Sequence, residues 1–312
     1  MLNYDLLSKK PSNFKNFAGL EVSEFDALNS KIKEKYDAHE EKRLARGDRK
    51  RTVGAGHPFK LSLTNRILIL LLYYHMYPSS TLLGYLVDLS QTSVLKNIRN
   101  LEPLLSEVLP LPKKQQEKVK RLQTLNEVEA MFPGFKAAID ATEQEIPRPK
   151  AKLKRKTHYS GKRKKHTVKA QITVNQAGLI VHKSAHAAGS THDYSLFKHS
   201  HPHLPDSVRT ILDLGYKGIE KDFPGFNCDL PFKRQSPGRG KRGVKAKGLS
   251  PEQKEFNKRL SRDRIVVEHD FSRLKKFHVW ADEFRNRLKH YDAMTDIVCG
   301  LLNFRIMGAT FG

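Results

Sequence analysis

The sequence predicts a mixed α/β sheet with flanking helices, preceded by an all-α domain. Two observations carry this. Before residue 112 the apolar side chains recur at helical spacing, whereas from about residue 135 short apolar runs alternate at period two. Those runs are followed by long helical segments, the pattern of a sheet with helices packed on it.

In chain order, residues 22–46 place Val22, Phe25, Leu28, Ile32 and Tyr36 on one helical stripe among many charges. The stretch GDRKRTVGAGHP (47–58) mixes glycines, a proline and basic side chains, and reads as a linker or basic arm. Three short helices follow. Thr64 is the candidate N-cap for Asn65–Met76, Pro78-Ser79-Ser80 restarts the chain for Thr81–Val87, and Gln91–Arg99 follows a turn at Asp88-Leu89-Ser90. A helix-turn-helix would use the last of these, exposing Gln91, Thr92, Ser93, Lys96, Asn97 and Arg99, whose side chains suit base edges and phosphates. An ordinary three-helix core with a polar outer face fits the same pattern. A helical connector with Pro103, Pro110 and Pro112 leads to about Met131. Strands are then expected at Phe135–Ala141, His166–Asn175, Gly178–Ala187, Arg209–Asp213 and Cys228–Phe232, and helices at Pro251–Phe277 and Asn286–Met307. The implied divisions are 1–58, 59–112, 113–134 and 135–312.

Charge says more than length. Among 312 residues, 57 Lys and Arg face 33 Asp and Glu, a formal net charge of +24. That excess favours a polyanionic partner, because each phosphate neutralised releases counterions. With 38% hydrophobic residues the chain can bury a core. The longest apolar run, Ile67–Tyr74, is far short of the ~20 residues that span a bilayer, and the N-terminus lacks a signal-peptide layout. Cys228 and Cys299 are too far apart in sequence for a CxxC site and suit a reducing compartment. The expectation is a cytoplasmic, nucleoid-associated protein bound to nucleic acid and not to a membrane.

Asp140 ends an apolar run in AAIDATE, and Asp213 repeats the device in TILDLGYKG. Aspartate is a poor strand former, and ligand sites in α/β sheets gather at strand ends. Either aspartate serves equally as a cap for the following turn. Glu268 lies in a helical segment with Arg264 four residues before it and Lys275 seven after. At ~100° per residue, the eleven residues from Arg264 to Lys275 return to within roughly 20°, so all three share a face, with Arg264 and Lys275 as candidate DNA contacts. A solvated Arg–Glu pair is the alternative.

Several ordered blocks resemble the DDE transposases of bacterial insertion sequences, group five in particular, and their Harbinger-type eukaryotic relatives. The blocks are GAGHPFKLSLTNRILILLLYY, AIDATEQEIPRP, HYSGKRKKHTVK, AAGSTHDYSLF, LDLGYKG and RIVVEHDFSRLK, spread over residues 54–308. The last also resembles a Tyr-Arg-Glu-Lys signature, but the tyrosine position holds Ser261. The resemblance implies a ribonuclease H-like fold in which Asp140, Asp213 and Glu268 converge on Mg2+, with Mn2+ as substitute. It implies two-metal hydrolysis at element ends and joining of the freed 3′-hydroxyl to target DNA, with double-stranded DNA as partner and a homodimer or larger assembly.

Basic segments support a DNA partner. Arg148–Lys169 holds eleven Lys and Arg, Lys162, Arg163, Lys164 and Lys165 with His166 among them, and is expected to be a long flexible connection. Lys233–Lys247 carries seven more, among glycines and a proline. His166 reads as a DNA contact or as a strand start, and His192-Asp193 as a helix N-cap, with Asp193 or Thr191 capping, more than as part of the acidic site. A domesticated, non-cleaving DNA-binding protein and a non-transposing nuclease of the same fold are the rival readings.

Overall fold

The computed structural model describes residues 1–45, 57–233 and 248–310, in two compact units. The first comprises Met1–Leu111, Leu274–Glu283 and Ala293–Gly312, and the second Pro112–Arg273 and Phe284–Asp292. The expected single division 135–312 is thus split, because C-terminal segments complete the N-terminal core. Phe277, for example, packs edge-on against His75 with ring centroids 5.1 Å apart.

The first unit is helical. Its centre is Leu63–Met76, buried continuously from Arg66 to Tyr74, as an all-round apolar helix must be. Its N-cap is Ser62, whose side chain accepts the Asn65 amide, and not Thr64, so the helix starts two residues earlier than expected. Val22–Leu44 buries Phe25, Leu28 and Ile32 along the anticipated stripe. Two helices that the sequence reading did not anticipate, Tyr4–Leu7 and Pro11–Ala18, add Tyr4 and Phe14 to an aromatic cluster around Phe25.

Ser80–Val87 is capped by Ser79 and closed by Asp88 in the left-handed region, and Ser90 caps the next helix by accepting the Ser93 amide. The turn is tight. A Cβ on Gly84 would stand 2.5 Å from the Leu89 carbonyl oxygen, so only glycine permits the approach. The following helix runs Gln91–Val108, well past the expected end at Arg99. Its apolar stripe continues through Leu101, Leu104 and Leu105, and burial of that stripe outweighs the amide missing at Pro103.

The second unit is a mixed sheet with helices. Its strands are β1 (Lys136–Glu145), β2 (Tyr159–Ser160), β3 (Lys165–Asn175), β4 (Ile180–Lys183), β5 (Ala187–Ala188), β6 (Arg209–Ile211) and β7 (Cys228–Asp229). The order is β2-β3-β1-β6-β7, with β4 and β5 also on β3. β3 is the deepest, buried from Thr167 to Asn175, with Val168, Ala170, Ile172 and Val174 alternating as expected. It pairs antiparallel with β1, which pairs parallel with β6 on its other edge.

Four strand expectations change, one being β6, which ends at Ile211 and leaves Asp213 beyond it. β1 runs on to Glu145 through polar residues, because the ladder to β3 continues to Glu145–Thr167. The Gly178–Ala187 strand breaks into β4 and β5 at Ser184, whose Oγ accepts the Gln171 amide in place of a strand carbonyl. β7 ends at Asp229, ahead of Pro231, which has no amide to offer a ladder. The basic connection after β1 is not a plain loop, since Lys152–His158 forms a helix and Tyr159–His166 a hairpin. The long helix spans Pro251–Leu274, and the last one, expected at Asn286–Met307, is Tyr291–Thr310. Among the described residues no helix is long and apolar enough to cross a membrane.

Candidate active site

The parallel ladder between β1 and β6 ends at Ala138–Ile211. Two residues further along each chain stand Asp140 and Asp213, at matching positions where the strands part. Asp140 is therefore inside β1, and not at its end as expected; what ends there is the pairing with β6. Asp140 Oδ1 accepts the Ala141 amide at 2.7 Å, and Oδ2 accepts from Arg264 Nη1 at 3.0 Å. Burial pushes its carboxyl up to about 6; Arg264 opposes this, while the charges of Asp213 and Asp193 add to it.

Asp213 caps the short turn Leu214–Tyr216, its Oδ1 accepting the Gly215 amide at 2.7 Å. A Cβ on Gly215 would lie 2.8 Å from that oxygen and 3.4 Å from Asp193 Oδ2. Two carboxylates thus face the same small space beside Gly215, where a Cβ would press on their oxygens. Beneath them Tyr216 is fully buried and donates to Gln171 Oε1 at 3.1 Å. Its hydroxyl is held protonated by burial and by the charges of Asp140, Asp193 and Asp213.

Asp193 takes the role at the acidic site that the sequence reading ranked behind a helix N-cap. It is the first residue of the helix Asp193–His199, whose N-cap, His192, makes no capping bond, so the expected N-cap role for Asp193 or Thr191 is not found. Instead Asp193 Oδ1 accepts from Lys169 Nζ at 2.7 Å. Lys169 is itself buried, 3.7 Å from Glu143 and donating to the Thr191 carbonyl at 2.8 Å. A lysine within a strand buried from Thr167 to Asn175 was the available signal, since such a charge is kept only where it is paired.

Glu268 is half exposed on the helix Pro251–Leu274, and its Oε1 accepts from Arg264 Nη2 at 2.6 Å. Arg264 therefore bridges Glu268 and Asp140, and Lys136 pairs with Asp263 at 2.8 Å to hold the same helix to β1. A cleft of about 310 Å³ opens between Asp213 and Arg264, with Ser261 on its wall. Among the described residues no three His, Cys, Asp or Glu side chains stand close enough to hold a metal ion. The structure gathers Asp140, Asp213 and Asp193 and ties in Glu268 only through Arg264. Asp140 and Asp213 leave a pair of carboxylates of the kind that a hard divalent cation takes together with waters and substrate oxygens.

The other predicted residues divide. Gln91, Thr92, Ser93, Lys96 and Arg99 are exposed on Gln91–Val108. Asn97 is not, being 7% exposed; it accepts from Arg66 Nε at 2.8 Å and donates to the Arg66 carbonyl, which removes it from any DNA-facing surface. Lys162, Arg163, Lys164 and Lys165 are exposed on and beside the hairpin turn, with Lys164 in the left-handed region. His166 is a strand residue paired with Tyr159, their rings edge-on at 5.5 Å. Lys275 lies in the turn beyond the helix end at Leu274, so it does not share the face of Arg264 and Glu268. Segments 47–56 and 234–247 lie outside the described residues.

A family model for the DDE superfamily endonuclease matches residues 139–303, a span that contains Asp140, Asp213 and Glu268. The class is that of metal-dependent DNA endonucleases. The chain is 30% identical over 266 residues to the probable transposase for insertion sequence element IS702 of Microchaete diplosiphon, covering 84% of this chain and 88% of that one. No solved structure matches. The chain belongs to the DDE superfamily of endonucleases.

Proposed function

We propose that this chain is the transposase of an insertion sequence, with Asp140, Asp213 and Glu268 as the residues that hold Mg2+, or Mn2+ in its place. The observation that carries the reading is the matched pair of aspartates just past the end of a parallel ladder, one of them desolvated. The second unit is read as a ribonuclease H-like domain. Divalent ions bound there supply Lewis-acid stabilisation to the attacking and leaving oxygens of an in-line displacement. Asp140 and Asp213 supply rigid oxygen ligands from the sheet, and Glu268 a third from a helix. The same site first frees a 3′-hydroxyl at the element's end and then directs that hydroxyl at target DNA.

Ser80–Val87 and the start of Gln91–Val108 are read as a helix-turn-helix that recognises the terminal repeats. Gln91, Thr92, Ser93, Lys96 and Arg99 are the contacts proposed for it. Lys162–Lys165, with His166, supplies non-specific phosphate contacts. Work on two ends calls for a homodimer or larger assembly.

The test is cleavage and strand transfer on DNA carrying the element's ends. Both activities should require Mg2+ or Mn2+, and Asp140→Asn, Asp213→Asn and Glu268→Gln should each abolish them with DNA binding intact. Near wild-type cutting by any one variant removes that residue from the site. Nicking without transfer would make the protein a nuclease and not a transposase.

A further inference from the structure

We propose that Arg264 is the resident counter-cation of the carboxylate site and that a DNA phosphate draws it away, so that DNA and divalent metal bind cooperatively. This rests on the metal-site reading above. Arg264 donates from two nitrogens to two of the three proposed ligands, at 3.0 Å to Asp140 Oδ2 and 2.6 Å to Glu268 Oε1. A guanidinium stays charged at any working pH, so it occupies these oxygens as a permanent cation. A metal ion must compete with it for the same lone pairs. Without a replacement partner, release of Arg264 leaves a partly buried positive charge unpaired, its side chain being 23% exposed.

A replacement has room to reach it. Arg264 lines the open cleft of about 310 Å³ with Asp213 and Ser261, which gives the side chain room to turn outward. Lys258, Arg259 and Arg262 are exposed on the same helix and draw a phosphodiester backbone toward it, although they stand roughly 120–160° around its axis from Arg264. A guanidinium fork matches phosphate as well as it matches carboxylate. Moving Arg264 from the acids to a phosphate keeps it paired and vacates Asp140 and Glu268. Because coupling is reciprocal, metal should tighten DNA binding by the factor that DNA tightens metal binding. In the absence of DNA the arginine keeps metal occupancy low, which restrains cleavage until substrate is in place.

The experiment is Mn2+ binding to the full chain, followed by electron paramagnetic resonance, with and without a short random-sequence duplex. Asp140→Asn serves as the blank for Mn2+ held by the DNA itself. Wild-type protein should bind Mn2+ about tenfold tighter with duplex present. Arg264→Met should bind Mn2+ tighter than wild type without duplex, by a similar factor, and gain little when duplex is added. Arg264→Lys keeps the charge but loses the planar fork that now meets both carboxylates, so it should shift the same way by less; it serves if the methionine variant does not fold. Equal Mn2+ affinity with and without duplex, or no gain in either Arg264 variant, overturns the coupling while leaving the metal site standing. If wild-type protein with duplex binds no more Mn2+ than Asp140→Asn, the metal-site reading falls as well.

Discussion

Asp193 and Lys169 form a pair 2.7 Å apart that turns a carboxylate toward Asp213, although the two residues belong to a helix start and a buried strand. The pair acts on the proposed ligands through charge, Asp193 being one of the carboxylates that raise the Asp140 carboxyl. Asp193→Asn and Lys169→Met should each lower metal-dependent cleavage, because each changes the charge balance around Asp140. The Mn2+ concentration for half-maximal activity should rise with it, which a purely structural defect would not produce. Unchanged metal dependence in a folded Asp193→Asn variant would reduce the pair to a structural ion pair.

Asn97 and Arg66 yield a prediction opposite to that for the exposed face of their helix. Asn97→Ala leaves a buried guanidinium nitrogen without its acceptor and removes one donor from the Arg66 carbonyl. It should cost about 1–3 kcal/mol of stability, measured by urea unfolding. Any loss of DNA affinity should be equal on terminal-repeat and scrambled duplex.

Gln91→Ala and Ser93→Ala should behave in the reverse manner. If they read bases, each costs about 1–3 kcal/mol on the element's own ends and little on random duplex. Stability should hold, because both side chains are exposed. Equal losses on both DNAs would leave this helix as a backbone contact.

Neutralising Lys162, Arg163 and Lys164 should flatten the salt dependence of binding to any duplex. The log–log slope should fall by roughly 0.9 for each phosphate that the variant no longer neutralises. An unchanged slope would mark the hairpin turn as merely solvated.

His182 sets a pH dependence. Burial, with the neighbouring Lys183 charge, holds its pKa down to about 4, so it is neutral in the folded chain. The unfolded chain takes up a proton near 6.5, so stability falls as pH drops from about 6.5 to about 4 and is constant below. The full difference is up to about 3 kcal/mol. His182→Phe removes it, and urea unfolding at neutral pH and near about pH 5 should show a smaller acid loss in the variant. An equal loss would place the acid sensitivity elsewhere.

The alternation of β3, the stripe of Val22–Leu44 and the short helices around Asp88–Ser90 were legible because each is a local pattern of period or capping. The burial of Asn97 was also open to reading. It falls three residues after Val94 and four before Leu101, on the apolar stripe, where a polar side chain needs a buried partner. The helix Lys152–His158 was not anticipated, since Pro147, Pro149 and dense charge suggest a loop while lysine and arginine favour helix once it starts.

By itself the sequence determined the cationic character of the protein, the period of its elements and the aspartates at the ends of apolar runs. Tertiary structure decided what those aspartates face. Asp140 and Asp213 are seventy-three residues apart and meet only through the parallel register of β1 and β6. Asp193 faces them across the turn at Gly215, and Glu268 connects only through an arginine that spans two elements. Such electrostatic company depends on distances of a few ångströms between segments remote in the chain, and periodicity carries no information about them.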